Sequence, residues 1–372
     1  MKKSGRGEVL VVGAGITGVT IAQCLADAGY GVELIDKRDH IGGNCSDYIN
    51  EDGILVSRYG AHLFHTNDES VWSYIKKFSQ WEPYRHTVFS FIEGKHVPVP
   101  INIETINILF GLGLKDPEEM KRWLEKEVEI IDDPKNSEEV ALKIMGKRLY
   151  EKLFKNYTYK TWGRYPIELE ASVISRIPMR FSLENHYFDD KYQFQPKYGF
   201  TKLFEKMIDN PKISLKLKMD FGEIKNHISK DTLVIYTGPI DEYFDYVFGK
   251  LEFRQISFTP VTYDKEYKLP NAVVNYPGEE EYFRAVEHKY ISRQKHNKTV
   301  VSYERGVSSG IPCYPVLTVK NQQIYSKYLK KSQGEDNVIF AGRMGMFKYI
   351  NMDVAIKEAM ALVENLIKNE TK

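Results

Sequence analysis

Cysteine is scarce in this chain, with three residues in 372. Cys24, Cys45 and Cys313 lie far apart and form no C-x-x-C pair. Disulfide-stabilised secreted domains and cysteine-based zinc sites both need several cysteines at short spacings. The cysteine content therefore argues against both kinds of protein.

An excess of charge of one sign is also absent, because 52 Lys and Arg residues face 51 Asp and Glu residues, for a net charge of +1. Nucleic acids and anionic membrane surfaces attract basic proteins, so neither is an expected partner. No apolar run approaches the ~18 residues that cross a bilayer. No small-residue cleavage site follows the basic residues Lys2 and Lys3. We therefore expect a cytoplasmic protein without a membrane span.

A β-branched apolar run leads directly into a glycine-rich segment near the start of the sequence. Residues 9–12 (VLVV) precede the pattern G-x-G-x-x-G, formed by Gly13, Gly15 and Gly18. The first glycine suits a tight turn, the second lets the backbone approach a pyrophosphate, and the third lets a helix pack against the strand. The N–H groups at the start of that helix can then bind phosphate oxygens.

Asp36 supports this interpretation of the glycines. It follows a second apolar segment, residues 31–35, and stands 18 residues after Gly18, where a carboxylate that binds ribose is expected. A glycine-rich turn in an unrelated α/β unit is the simpler alternative, but it does not explain this acid. The order of strand, helix, strand and acid predicts a dinucleotide-binding unit.

Two further segments favour FAD over NAD. Residues 37–44 (KRDHIGGN) resemble the second glycine motif of flavoproteins related to amine oxidases, and their cations and bare backbone suit a cofactor phosphate. Residues 337–343 indicate a strand that breaks at glycine. Residues 351–353 then precede a helical pattern whose N-terminus is expected to face the flavin ring. Because these motifs lie at both ends of the sequence, the FAD-binding domain is predicted to be discontinuous.

Between these ends the apolar pattern changes from helical to strand-like. Residues 86–100 predict a β-hairpin, Asp116 and Ser137 begin helical patterns, and runs such as 271–276 and 298–303 predict strands. The predicted fold is α/β, with a Rossmann-like FAD-binding domain, an inserted helical domain, and a mixed or antiparallel sheet domain. The predicted boundaries are 1–85, 196–250 and 310–372 for the FAD-binding domain; 101–170 for the helical insert with a mobile substrate loop; and 86–100, 171–195 and 251–309 for the sheet domain.

Motifs spread over almost the whole sequence resemble those of the bacterial UDP-galactopyranose mutase family, in the same order. They occupy residues 40–44, 59–66, 100–102, 156–163, 176–181, 236–241, 284–289, 314–316 and 342–353. The resemblance implies an isomerase that needs reduced FAD. It implies that flavin N5 attacks the anomeric carbon, forms a covalent adduct with the sugar and expels the diphosphate. The sugar ring opens and recloses, so that UDP-galactopyranose becomes UDP-galactofuranose for cell-surface polysaccharide.

The resemblance also assigns roles to individual residues. The implied catalytic residues are Arg176 and Arg284, which hold the departing diphosphate, and His65, which lies close to the flavin. The implied substrate-binding residues are these two arginines with Phe154, Tyr157, Trp162, Tyr187, Asn275, Tyr314 and Tyr349. The implied FAD-binding residues are Gly13, Gly15, Thr17, Gly18, Asp36, Lys37, Gly43, Asn44, His62, Leu63, Gly342, Arg343, Asn351, Met352 and Asp353.

The expected partners are a nucleoside-diphosphate sugar and an electron source, either NAD(P)H or a reductase. A homodimer is one assembly that the sequence leaves open. No metal is expected, because the pair formed by His62 and His65 has no third ligand nearby in the sequence.

Some positions depart from the family pattern and leave the sugar open. They are His86, Phe194, Phe283, Asn351 and the pair 305–306. A larger apolar residue near the site would suit a 6-deoxy sugar such as dTDP-fucopyranose, and UDP-N-acetylgalactosamine is another candidate. A flavin amine oxidase is a further alternative, but it leaves the two arginines unexplained. A catalytically silent nucleotide-sugar-binding protein is the last, and the intact glycine motifs argue against it.

Overall fold

The structure is a computed structural model that describes residues 6–174 and 179–370. The strands are β1 (Arg6–Val12), β2 (Tyr30–Asp36), β3 (Asp47–Ile49), β4 (Leu55–Ser57), β5 (Phe64–Thr66), β6 (Trp81–Pro83), β7 (Val88–Ile92), β8 (Lys95–Val99), β9 (Tyr192–Pro196), β10 (Ile213–Leu217), β11 (Leu233–Tyr236), β12 (Phe253–Tyr263), β13 (Val273–Asn275), β14 (Arg284–Glu287), β15 (Thr299–Val307), β16 (Ile311–Pro315) and β17 (Val338–Phe340). The α-helices are α1 (Ile16–Asp27), α2 (Glu69–Ile75), α3 (Ile103–Phe110), α4 (Pro117–Leu124), α5 (Ser137–Tyr150), α6 (Asn156–Trp162), α7 (Gly199–Met207), α8 (Phe221–Ile224), α9 (Ile240–Tyr243), α10 (His288–Ser292), α11 (Val319–Ser332), α12 (Gly342–Gly345) and α13 (Met352–Glu370).

A five-stranded parallel sheet has the strand order β10-β2-β1-β11-β17. Alternate residues of β1 face opposite sides of it. Val9 and Val11 pack with residues of α1 and α13, whereas Leu10 and Val12 pack with residues of α9 and α11. Burial on both faces is typical of a parallel sheet. The strands come from three separate parts of the sequence, so the predicted discontinuous, Rossmann-like fold is confirmed.

A seven-stranded mixed sheet has the order β16-β12-β15-β14-β13-β7-β8. Its neighbouring strands are antiparallel except for β13 and β7. The predicted hairpin at 86–100 is present as β7 and β8. Strand β12, of 11 residues, was not predicted, because Arg254, Gln255 and Pro260 interrupt its apolar pattern.

Two strands cross the predicted domain boundaries. Strand β16 pairs with β12 in the seven-stranded sheet, although the predicted boundary at 310 places it with the FAD-binding domain. Strand β9 pairs with β5 and β6 in a three-stranded sheet, although the predicted boundaries separate it from both. The division into three domains therefore stays a prediction.

Helices α3 to α6 supply the predicted helical region. Asp116 caps α4 by accepting a hydrogen bond from the Glu119 N–H at 2.8 Å, as predicted. Helix α5 starts at Ser137, but its capping side chain is that of Asn136. A π-helical turn, Glu151–Lys155, connects α5 to α6. Such turns are frequent at functional sites, and this one lies beside the larger cleft described below.

Gly18 permits the close packing of α1 on the first glycine turn. A Cβ atom at this position would lie 1.8 Å from the carbonyl oxygen of Gly13. We predict that Gly18→Ala lowers the free energy of unfolding by ~2 kcal/mol or more, because backbone must move to relieve the overlap. The purified variant should also carry less FAD. Urea unfolding and the flavin absorbance measure the two effects.

Gly113→Ala is the matched control for this prediction. A Cβ atom at Gly113 would have no atom within 4 Å, so the same substitution should change stability by less than ~0.5 kcal/mol. Equal stability and equal FAD content in the two variants would contradict the close-packing role of Gly18.

Candidate active site

One pocket lies at the carboxyl ends of β1, β2 and β11, where open α/β sheets bind nucleotides. Val12, Asp36 and Tyr236 from the ends of these strands line it. The FAD-binding residues predicted from the sequence that line this pocket are Gly13, Gly15, Thr17, Asp36, Lys37, Gly43, Asn44, His62, Gly342, Arg343, Asn351 and Met352.

The two glycine motifs form a wall of bare backbone in this pocket. A Cβ atom at Gly43 would lie 2.9 Å from the Cα atom of Gly15, so the second motif leaves no room for a side chain where it meets the first. Helix α1 starts directly after Gly15, and no side chain caps its N–H groups. Open N–H groups at a helix N-terminus suit a pyrophosphate. The residues present therefore fit the phosphates of a dinucleotide.

Asp36 orders this wall of backbone. Its carboxylate accepts hydrogen bonds from the N–H of Ala14 at 2.7 Å and from the N–H of Arg38 at 2.9 Å. Arg38 in turn donates to Oδ1 of Asn44 at 2.8 Å, and its other terminal nitrogen, Nη1, is buried without a protein partner. A buried guanidinium nitrogen without an acceptor suits an anionic ligand. The sequence analysis included Arg38 only as one of the cations of residues 37–44, not among the individual FAD-binding residues.

Three of the predicted FAD-binding residues do not line this pocket. Gly18 packs beneath the turn of Gly13, and Leu63 lies in the adjoining cleft. Asp353 lines neither cavity, although its Oδ1 atom is buried without a partner. Gly18 and Leu63 can still affect FAD binding by packing against the residues that line the pocket. The assignments of all three residues stay predictions.

A second, larger cleft of about 800 Å³ adjoins the first pocket. The two cavities share Asn44, His62, Arg343, Asn351 and Met352 in their linings. The first of these residues comes from the second glycine motif, and the last begins α13. A cofactor whose phosphates lie on the glycine wall can therefore extend to the border of the larger cleft.

The larger cleft brings together the predicted substrate-binding residues of the described chain, which come from distant parts of the sequence. They are Phe154, Tyr157, Trp162, Tyr187, Asn275, Arg284, Tyr314 and Tyr349, and His65 lines the same cleft. Arg176, which the sequence analysis predicts as the second diphosphate ligand, lies outside the described residues.

Arg284 is the fixed cation of this cleft. Its Nη2 donates to the hydroxyl of Tyr157 at 2.6 Å, and its Nη1 lies 3.5 Å from Oε2 of Glu304, which is 1% exposed. Burial disfavours the charged form of Arg284, but its neighbours Tyr157 and Glu304 raise the pKa of the guanidinium well above its usual value. Its Nε atom is buried without a protein partner. Arg284 therefore stays charged and retains an unused donor.

Neutral hydrogen-bonding groups surround this cation. Burial raises the pKa of the Tyr187 hydroxyl to about 12 and that of Tyr314 above its usual range, so both stay protonated donors near neutral pH. Asn275 places a buried amide oxygen, Oδ1, without a partner among the described residues. Such an oxygen usually has a partner in a functional state. The chemistry of the cleft suits a polar, anionic ligand with hydroxyl groups.

Trp162 lies on a helix end that Arg254 holds in place. Arg254 donates to the carbonyl oxygens of Thr161 at 2.7 Å and Lys160 at 2.9 Å, so a cation caps the C-terminal end of α6. The guanidinium crosses Gly306, where a Cβ atom would lie 1.6 Å from its Nη2. The sequence analysis missed Arg254, because nothing in its local sequence indicates which carbonyl groups it reaches.

The departures from the family pattern divide into those that face the cavities and those that do not. His86 and Asn351 line the larger cleft. Phe194 instead stacks on Trp72, with ring centroids 4.5 Å apart, and Arg305 pairs with Glu281 at the surface. Phe283 is fully buried beside Tyr157 and lines neither cavity. Phe283 could therefore affect the choice of sugar only through its packing against cleft residues, and the preference for a 6-deoxy sugar stays a prediction.

Two features are absent from the described residues, a membrane-spanning helix and a metal-binding cluster. No helix in the described ranges is both long and apolar enough to cross a bilayer. Across the same ranges, no three histidine, cysteine or acidic side chains cluster in a way that could bind a metal ion.

Comparisons with known proteins agree with this geometry. The UDP-galactopyranose mutase family model matches residues 152–349, and a model of NAD(P)-binding Rossmann-like domains matches residues 11–78. A probable UDP-galactopyranose mutase from Klebsiella pneumoniae is 37% identical over 367 residues, which cover 97% of this chain and 95% of that protein. The dTDP-fucopyranose mutase of Escherichia coli is also 37% identical, over 97% of this chain and 99% of its own length.

The fold comparison gives the same result. The crystal structure of a reduced UDP-galactopyranose mutase superposes with a TM-score of 0.78, covering 98% of this chain and 94% of that one at 14% identity. The family model and the relatives go beyond fold, because they extend over the residues of both cavities. This chain belongs to the UDP-galactopyranose mutase family, and it is an FAD-dependent isomerase.

Proposed function

We propose that this enzyme interconverts UDP-galactopyranose and UDP-galactofuranose while its FAD is reduced, and so supplies furanose for cell-surface polysaccharide. The observation that carries the proposal is the half-buried Arg284, held between Tyr157 and Glu304 in a cleft that shares its border with the flavin pocket. A mutase must hold the released diphosphate until the sugar takes it back. A fixed guanidinium with an unused donor suits that task.

Reduced FAD, when bound, supplies a nucleophilic ring nitrogen for the anomeric carbon. The remaining steps fall to side chains of this chain. Arg284 binds the diphosphate before, during and after its release, and the hydroxyls of Tyr314 and Tyr349 donate to the same oxygens. The unpartnered amide oxygen of Asn275 accepts a hydrogen bond from the substrate. Trp162, at the helix end that Arg254 caps, covers the sugar. It excludes water that would otherwise react at the anomeric carbon.

A second candidate substrate is dTDP-fucopyranose, because the E. coli enzyme of that name is as similar to this chain as the Klebsiella protein. The two substrates differ at the sugar C6 substituent and at the base. His86 and Asn351 are the departures from the family pattern that face the cleft, so they are the positions where a changed preference would be encoded. The experiment below decides between the substrates.

We expect furanose to form from UDP-galactopyranose only when the enzyme is reduced. FAD-loaded protein is incubated anaerobically with the sugar, with and without dithionite, and the isomers are separated by chromatography. Parallel reactions contain dTDP-fucopyranose and UDP-N-acetylgalactosamine. NADH or NADPH then replaces dithionite, to test whether either is the reductant.

Each outcome of this assay has a defined meaning. If dTDP-fucopyranose or UDP-N-acetylgalactosamine is turned over faster, that sugar replaces UDP-galactopyranose as the proposed substrate. Equal turnover by oxidised enzyme would rule out a role for the reduced flavin. Oxygen uptake with an amine would instead support a flavin oxidase.

Arg284→Lys tests the proposed diphosphate ligand. Lysine keeps the charge but cannot donate to Tyr157 and a phosphate oxygen in the fixed fork of a guanidinium. We expect kcat/KM to fall by roughly 100-fold, with the FAD content unchanged because Arg284 does not line the flavin pocket. Arg305→Lys, at the surface pair with Glu281, is the matched control and should stay near wild type. Activity of Arg284→Lys within threefold of wild type would refute the assignment.

A further inference from the structure

His65 is fixed on two sides at the edge of the larger cleft. Its Nδ1 lies 2.9 Å from Oδ2 of Asp190, and its ring stacks on Phe188 with centroids 3.7 Å apart. The other carboxylate oxygen of Asp190 accepts a hydrogen bond from Nδ2 of Asn67 at 3.0 Å. The imidazole can therefore neither rotate nor shift without breaking a contact.

The pairing of β5 with β9 brings these groups together. His65 lies opposite Gln193 in that pair, and Nε2 of Gln193 donates to the carbonyl oxygen of Asp190 at 2.8 Å. Asn67 also accepts a hydrogen bond from the N–H of Lys191 at 2.9 Å. Hydrogen bonds to the backbone of residues 190 and 191 thus fix the segment of Asp190 next to β5, the strand of His65. The contact between the two side chains therefore follows from the pairing of β5 with β9.

The carboxylate determines which ring nitrogen of His65 carries the proton. A carboxylate only accepts hydrogen bonds, so Nδ1 must be the protonated nitrogen of the neutral ring. Among the described residues Nε2 of His65 has no hydrogen-bond partner, and the side chain lines the cleft. The neighbouring His86 is uncharged, because burial, and then Arg284, lower its pKa to about 3. His65 therefore carries a lone pair on Nε2, and its side chain lines the cleft in which the substrate is proposed to bind.

We propose that Asp190 is a positioning residue for His65, and that Nε2 of His65 carries a proton from O4 to O5 of the sugar. The inference rests on the proposed function. In the change from pyranose to furanose, the bond from C1 to O5 breaks and a bond from C1 to O4 forms. O4 begins as a hydroxyl and O5 as the ring oxygen, so the proton that leaves O4 must end on O5. If Nε2 takes the O4 proton and gives it to O5 as the C1–O5 bond breaks, the exchange balances with no further reactant.

Asp190→Asn tests the positioning role with little change of shape. An asparagine amide can donate to Nδ1, which would move the ring proton of His65 to Nε2 and remove the lone pair from the cleft. We expect kcat to fall roughly 100-fold with KM little changed. Nitrogen NMR of ring-labelled histidine should show His65 protonated at Nδ1 in the wild type and at Nε2 in the variant. Asp209→Asn, at a surface pair with Lys206, controls for the substitution.

A double-mutant cycle separates positioning from a merely structural role. In a His65→Gln background, Asp190→Asn should cause no further loss of kcat, because the group it orients is already gone. An equal loss in both backgrounds, or an unchanged His65 tautomer in Asp190→Asn, would overturn the proposal. If the wild type converts none of the sugars tested, the proposed function fails. The NMR comparison would still decide whether Asp190 fixes the tautomer of His65.

Discussion

The contact between two glycine-rich turns, with no side chain between them, is the constraint on which the rest of the structure depends. Gly18 lets α1 lie close to the turn that follows β1, Gly13 leaves room for the side chain of Thr237, and Gly43 brings the second turn against the first. The carboxylate of Asp36 then holds backbone N–H groups of both turns. This arrangement leaves a surface of peptide N–H groups, and it determines where the cofactor, and hence the larger cleft, must lie.

The larger cleft combines burial with charge in a way that a folded core normally avoids. Glu304 is almost fully buried, and burial raises the pKa of its carboxyl, whereas the charge of Arg284 lowers it. The attraction between the two opposite charges offsets the free-energy cost of removing each from water. Because Oε1 of Glu304 and Nε of Arg284 have no protein partner, the pair is only partly satisfied by the protein. In the proposed function, a diphosphate or sugar hydroxyl would complete what the fold leaves open, and this would link stability to ligand binding.

Local patterns were sufficient to predict the cofactor domain, because a strand, a glycine turn and a helix follow one another within about 20 residues. Contacts between distant segments were not predictable in this way. Asp190 reaches His65, and Arg254 reaches the end of α6, through strand pairings that the sequence alone does not determine. Phe283 is different, because neighbouring residues of an extended segment face opposite sides. With Arg284 in the lining of the cleft, that rule places Phe283 on the other side, away from it.

Gly306 and Arg254 restrict each other's replacement during evolution. Any side chain at 306 would occupy the space of the guanidinium and would also lie 2.7 Å from the carbonyl oxygen of Lys160. A side chain at 306 is therefore accommodated only with a smaller residue at 254 and a shift of the backbone at Lys160. A lineage that first gains a side chain at 306 loses the support of its tryptophan segment. Replacement of the arginine alone does not free the position, so the glycine is expected to outlast the arginine as this edge of the cleft diverges.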